Sequence, residues 1–157
     1  MGRIVVSAER VVDAPADKIY DILADYRVGH REILPPNFSD YRVLEGGYGA
    51  GTVISFKVRA GGRERAYTMR VSESIPGSVL VESDTSSSLA TTFSLTPQDD
   101  GRRTLVTFRT EWQGGAGIGG FFERTFAPMA MRRIYNDELG RLAARATSAP
   151  APQEAPR

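Results

Sequence analysis

The chain has 157 residues, 41% hydrophobic and 25% charged, with a formal net charge of +1. This length fits one domain, able to bury a core without a disulfide or metal staple. The lack of cysteine excludes disulfides, thiolate–metal sites and thiol nucleophiles. The single histidine excludes a multi-histidine metal cluster, and the near-neutral balance gives no field to steer the chain to nucleic acid. No run approaches the roughly 18 apolar residues of a membrane span, so no stable membrane insertion is expected. Met1 to Ser7 carries neither a secretory nor a myristoylation pattern, and a cytoplasmic location is expected.

Residues 3–13 alternate loosely and read as a first strand. Asp13-Ala14-Pro15-Ala16 starts a helix, with Asp13 or Ala14 near the cap and Pro15 in the first turn. Ile19, Ile22, Leu23 and Tyr26 continue at helical spacing. A second short helical segment carries His30, Ile33 and Leu34 and ends at Pro35-Pro36. From Tyr41 the period becomes two. Ile54, Phe56 and Val58 form one inward set, and Tyr67, Met69 and Val71 another. Val79 and Val81, then Leu89, Thr91, Phe93 and Leu95, then Val106, Phe108, Thr110 and Trp112 complete the series. Turn residues bound each run: Gly46-Gly47, Gly61-Gly62, Pro76-Gly77, Asp84 to Ser88 and Asp99-Asp100-Gly101. Such short connections predict an antiparallel meander with one covered and one solvated face.

Ile118 to Ala146 reads as a long helix whose apolar positions fall on two faces. Ile118, Phe122, Phe126 and Met129 share one, and Met131, Tyr135, Leu139, Leu142 and Ala146 share the other. Pro128 between them predicts a kink or break near Arg124 to Pro128. Residues 147–157 contain three prolines and no large apolar side chain, and read as a disordered tail after a domain of residues 1–146.

This order of elements resembles the START-like (SRPBCC, helix-grip) superfamily, and within it the bacterial polyketide cyclase/dehydrase-like group. The resemblance covers residues 3 to about 146. It is carried by Val12-Asp13-Ala14-Pro15-Ala16 leading into Ile19-Tyr20-Asp21-Ile22-Leu23, then by Asp25-Tyr26, Ile33-Leu34-Pro35, Gly49-Ala50-Gly51-Thr52, and Arg132-Arg133-Ile134-Tyr135-Asn136-Asp137-Glu138-Leu139. It implies an α+β helix-grip fold: a curved antiparallel sheet of about seven strands, two short helices after strand 1, and a long C-terminal helix over the concave face. It also implies a cavity between sheet and helix.

With the strand phases above, the inward positions hold no Asp, Glu, Lys or His. The interior thus reads as a wall for a small hydrophobic molecule rather than as acid–base machinery, and no cofactor or metal is expected. Candidate wall residues are Tyr26, Phe56, Tyr67, Met69, Phe93, Phe108, Trp112, Phe122, Met129 and Tyr135, each of which serves equally as ordinary core. His30 is a candidate hydrogen-bonding group at the cavity mouth. Arg132 and Asn136, one turn apart, are candidates to hold a carboxylate or carbonyl, against a reading as surface residues with Arg132 and Arg133 answering Asp137 and Glu138. Gly115-Ala116-Gly117-Ile118-Gly119-Gly120 contains a formal G-x-G-x-x-G but no second parallel strand follows, so it reads as a hinge, with Phe121 and Phe122 as a gate. The favoured function is binding or transport of a lipid, quinone, polyketide or aromatic metabolite. The alternative is a polyketide cyclase/dehydratase-type enzyme using the same cavity, with Arg132, His30 or a tyrosine polarising a carbonyl. The sequence leaves the oligomeric state open.

Overall fold

A computed structural model describes residues 2–60, 62–114 and 127–148. Strand β1 (Arg3–Val12) is followed by helices α1 (Ala16–Ala24) and α2 (Gly29–Glu32). Six more strands follow: β2 (Phe38–Glu45), β3 (Val53–Ala60), β4 (Arg63–Ile75), β5 (Val79–Asp84), β6 (Ala90–Gln98) and β7 (Arg103–Gln113). Helix α3 (Ala127–Thr147) comes last. The sheet is antiparallel throughout, in the order β1-β7-β6-β5-β4-β3-β2. Thus β2 to β7 form a meander, and β1 closes onto β7. This is the helix-grip architecture expected from the sequence.

The local chemistry explains the elements. In β1, Ile4, Val6 and Ala8 point inward at alternate positions. Helix α1 buries Ile19, Tyr20, Leu23 and Ala24, a stripe at helical spacing. Its cap is Pro15 itself, with no side-chain hydrogen bond, rather than Asp13 or Ala14. Proline suits this end because its missing N–H is one that a helix start leaves unpaired anyway. The β6–β7 turn holds Asp99, Asp100 and Gly101 at positive φ, a backbone state that short polar residues and glycine tolerate best. Between β2 and β3 the register slips twice, at Ser39/Arg42 and Val43/Glu45, and such bulges bend a strand.

Helix α3 lies against β1, α1 and β3. It buries Ile134, Tyr135, Glu138, Leu139, Leu142, Ala143 and Ala146. Burying leucines such as Leu139 and Leu142 contributes roughly 1.5–3 kcal/mol each. Arg145 pairs with Glu32 and ties the end of α3 to α2. Pro128 sits in the first turn of α3, where a proline removes no hydrogen bond that the helix needs. Residues 124–126 of the expected kink, the 115–120 hinge, the Phe121 and Phe122 gate, and residues 149–157 of the tail lie outside the described residues. Among the described residues, no helix is long and apolar enough to cross a membrane.

Candidate functional site

A cavity of about 50 Å³, measured as space open to the centres of water molecules, lies between the concave sheet face and α3. One water needs about 10–15 Å³ by the same measure, so the space exceeds a single hydration site. Its mouth is ringed by half-buried Leu34, Phe38, Tyr41, Tyr67 and Met131. Its floor carries three buried ionisable groups, His30, Glu82 and Glu138, exposed by 3%, 5% and 2%.

Each reaches the floor for a local reason. Gly29 opens α2 hard against α1: a β-carbon there would stand 2.6 Å from the Ile22 carbonyl oxygen. That close approach carries His30 inward, where its Nδ1 lies 2.8 Å from the Leu23 carbonyl and its ring stacks on Tyr26, with centroids 4.3 Å apart. Glu82 comes from β5, opposite Val71 on β4 and Thr91 on β6, both of which face inward. Glu138 lies one turn from Ile134 and Tyr135 within the buried stripe of α3.

A carbonyl can only accept, so His30 Nδ1 carries a proton and Nε2 of the neutral ring is an acceptor. Nε2 faces Glu82 Oε2 at 3.4 Å, and the Tyr26 hydroxyl donates to the same oxygen at 2.8 Å. The spacing would suit an ion pair. Burial nevertheless drives both groups toward their neutral forms, lowering His30 to about 4 and raising Glu82 to about 7. The Tyr26 hydrogen bond works against burial at Glu82. We read a neutral imidazole beside a carboxyl that titrates near neutral pH, because both side chains are almost wholly removed from water. Glu138 is raised well above the usual carboxylate range, first by burial, then by the charges of Glu82 and Asp137. Behind the lining, Thr110 links two of its residues: Thr91 and Thr110 are 2.7 Å apart, and Thr110 bonds the Tyr135 hydroxyl.

The structure brings His30, Phe56, Tyr67, Met69, Phe93 and Tyr135 of the sequence candidates to the cavity wall. Others lie elsewhere. Tyr26 stands behind the wall, bonded to Glu82, and Phe108 is fully buried beneath Phe93, its ring at right angles to it. Trp112 is half-buried against the core near the end of β7, and Met129 is 55% exposed in the first turn of α3. Phe122 lies outside the described residues. Arg132 and Asn136 sit roughly 65° and 105° around α3 from the centre of its buried face, at about 100° per residue, and both are exposed. The Arg132 guanidinium donates instead to the Ser7 carbonyl at 3.3 Å. Asp137 pairs with Arg141, not with Arg132 or Arg133.

The expectation of an interior without titratable groups is overturned by Glu82. In β5 the inward residues are Leu80 and Glu82, while Val79 and Val81 are half-buried on the other face. Val79 and Val81 on one face and Leu80 on the other are all apolar, so this short strand has no phase of its own. Leu80 opposite inward Phe93 fixes it. Glu138, read as a surface partner of arginine, belongs to the apolar stripe by its spacing. Among the described residues no group of three or more His, Asp or Glu is placed to hold a metal.

Residues 3–147 match the family described as polyketide cyclase/dehydrase and lipid transport. The chain belongs to this family. No curated protein matches it. Among solved structures it is similar to KanY at 32% identity, covering 94% of this chain and 100% of that one, with a TM-score of 0.82. Two more distant neighbours share the fold. The Zhui aromatase/cyclase from Streptomyces sp. R1128 is 20% identical over 92% of this chain and 94% of its own, with a TM-score of 0.74. The major latex-like protein 151 of Panax ginseng is 12% identical over 93% and 99%, with a TM-score of 0.71. Family membership supports a helix-grip protein that binds a small hydrophobic ligand.

Proposed function

We propose that the chain holds a small, largely apolar molecule in the cavity under α3, with its polar end toward Glu82, Glu138 and His30. The observation that carries this reading is a largely apolar-walled void in whose lining Glu82 stands 3.4 Å from His30 and beside Thr91. Apolar walls supply affinity by desolvation, and these polar groups fix which way the molecule enters. Native mass spectrometry of the purified protein, with titration of the neutral fluorophore N-phenyl-1-naphthylamine, tests it. A retained organic molecule, or saturable fluorescence that a Phe93→Ala variant alters, is expected. Neither retained mass nor saturable binding would overturn it.

The buried Glu82–His30 pair favours a second reading, a cyclase or dehydratase of a polyketide-like chain. A carboxyl raised to about 7 is matched to proton transfer near neutral pH, and it lies in the cavity floor. The cavity would hold the chain folded, so that proximity supplies most of the rate. Incubation with a synthetic poly-β-ketone thioester should then yield an aromatic absorbance with the native protein and at least 100-fold less with Glu82→Gln. Equal yields would remove Glu82 from any such role.

A further inference from the structure

We propose that the occupant of this cavity is a small aromatic or alicyclic amine, bound as its ammonium ion against Glu138 and Glu82 and enclosed by aromatic rings. The inference rests on the ligand-binding reading above and names the ligand's chemistry.

Glu138 is the decisive residue. It is 2% exposed and lines the cavity, and no hydrogen bond reaches its carboxyl from the described residues. Unlike Glu82, which has Tyr26 and His30, it faces the void with no hydrogen-bond partner among the described residues. Two carboxyls thus share one floor, and among the described residues lining it there is no lysine or arginine. An anionic head group, such as a fatty-acid carboxylate, would meet two carboxyls and, among the described residues, no fixed cation. An ammonium ion meets the complementary arrangement. Phe56, Tyr67, Phe93 and Tyr135 add ring surfaces, which attract a desolvated cation through their negative faces.

The ionisable groups around Glu138 set the pH dependence. Glu82 faces it from β5 and Asp137 adjoins it on α3. Tyr26, Tyr41 and Tyr135 interact with it, and His30 lines the same floor. Arg31 lies 5.5 Å from the centre of the Tyr41 ring, outside the cavity lining. Without a bound cation, burial and the charges of Glu82 and Asp137 all favour the protonated Glu138 carboxyl over the bare carboxylate. Binding RNH3+ to that acid gives a carboxylate–ammonium pair and releases one proton to water. Amine affinity therefore rises with pH, by up to about tenfold per pH unit, until Glu138 ionises in the ligand-free protein or the amine loses its charge.

The test uses the full chain and three matched probes, 2-phenylethylamine, 2-phenylethanol and phenylacetate, titrated calorimetrically from pH 5 to 8. The amine should bind at least tenfold tighter than the alcohol at pH 7.5, with affinity increasing with pH and a proton released. The alcohol should show no such increase, and phenylacetate should be weakest. Glu138→Gln should abolish the preference for the amine while still binding the alcohol, which also shows that the variant is folded. Alcohol binding equal to amine binding, or phenylacetate binding best, would overturn the amine assignment and leave the ligand cavity standing. Binding of none of the three would overturn both.

Discussion

Replacing Glu82 by glutamine separates a neutral buried pair from a buried ion pair. In the folded protein Glu82 keeps its proton up to about pH 7, against a usual value of 4.5. Between those values the native state binds more protons than the unfolded chain, so Glu82 makes stability fall as pH rises. The rise, at about 1.4 kcal/mol per tenfold, amounts to about 3 kcal/mol. His30 acts oppositely: lowered from 6.5 to about 4, it makes stability fall as pH drops through that window. The two nearly offset each other from pH 4.5 to 6.5. Glu138, raised well above its usual value, has the sign of Glu82 with no such offset. Glutamine keeps the shape of the protonated acid and removes its titration, but the one amide atom that replaces Oε2 can accept from Tyr26 or donate to His30 Nε2, not both. Glu82→Gln should therefore fall about 1–3 kcal/mol below the native protein at pH 5, the cost of one buried polar partner left unpaired. Between pH 5 and pH 8 its stability relative to the native protein should rise by up to about 3 kcal/mol, or roughly 6–12 °C in Tm for a chain of this size. Thermal and urea unfolding by circular dichroism at the two pH values measure this. A variant that loses more stability at pH 8 than at pH 5 would refute the neutral pair and establish a carboxylate paired with imidazolium.

Three further outcomes follow from the same geometry. Tyr26→Phe removes the hydroxyl that steadies ionised Glu82, so it should cost about 1–3 kcal/mol above pH 7 and less at pH 5, read by the same unfolding curves. Gly29→Ala sets a methyl against the Ile22 carbonyl and should cost about 1–3 kcal/mol while displacing the His30 resonances in NMR spectra. Arg132→Ala removes an exposed side chain whose guanidinium meets only the rim of β1, and should change stability and probe binding by less than about 0.5 kcal/mol. A larger loss of probe binding would return Arg132 to the site.

The fold was legible because its signals are local. Alternation in β3, β4, β6 and β7 carries its own phase, and glycine, proline and aspartate mark the turns between strands. The site was less legible because its decisive residues depend on neighbours in space. Glu82 faces inward only because β5 pairs with β4 and β6, and counting register from Phe93 would have placed it. Glu138 lies among polar residues in the sequence, yet its spacing from Tyr135 and Leu142 puts it on the buried stripe. Arg132 drew attention by its charge, yet its side chain is exposed and turns to the Ser7 carbonyl of β1. His30 was legible as a candidate, whereas its depth depends on the approach of Gly29 to Ile22, which no periodicity reveals.

The methionine methyl groups give the most direct test of the central claim, that the space between sheet and α3 receives a ligand. Met69 and Met131 line the cavity, and Met129 is exposed outside it. With methyl-13C methionine in the chain, saturating 2-phenylethylamine or 2-phenylethanol should shift the Met69 and Met131 signals and leave Met129 in place. Unmoved Met69 and Met131 signals, or shifts confined to Met129, would contradict the account.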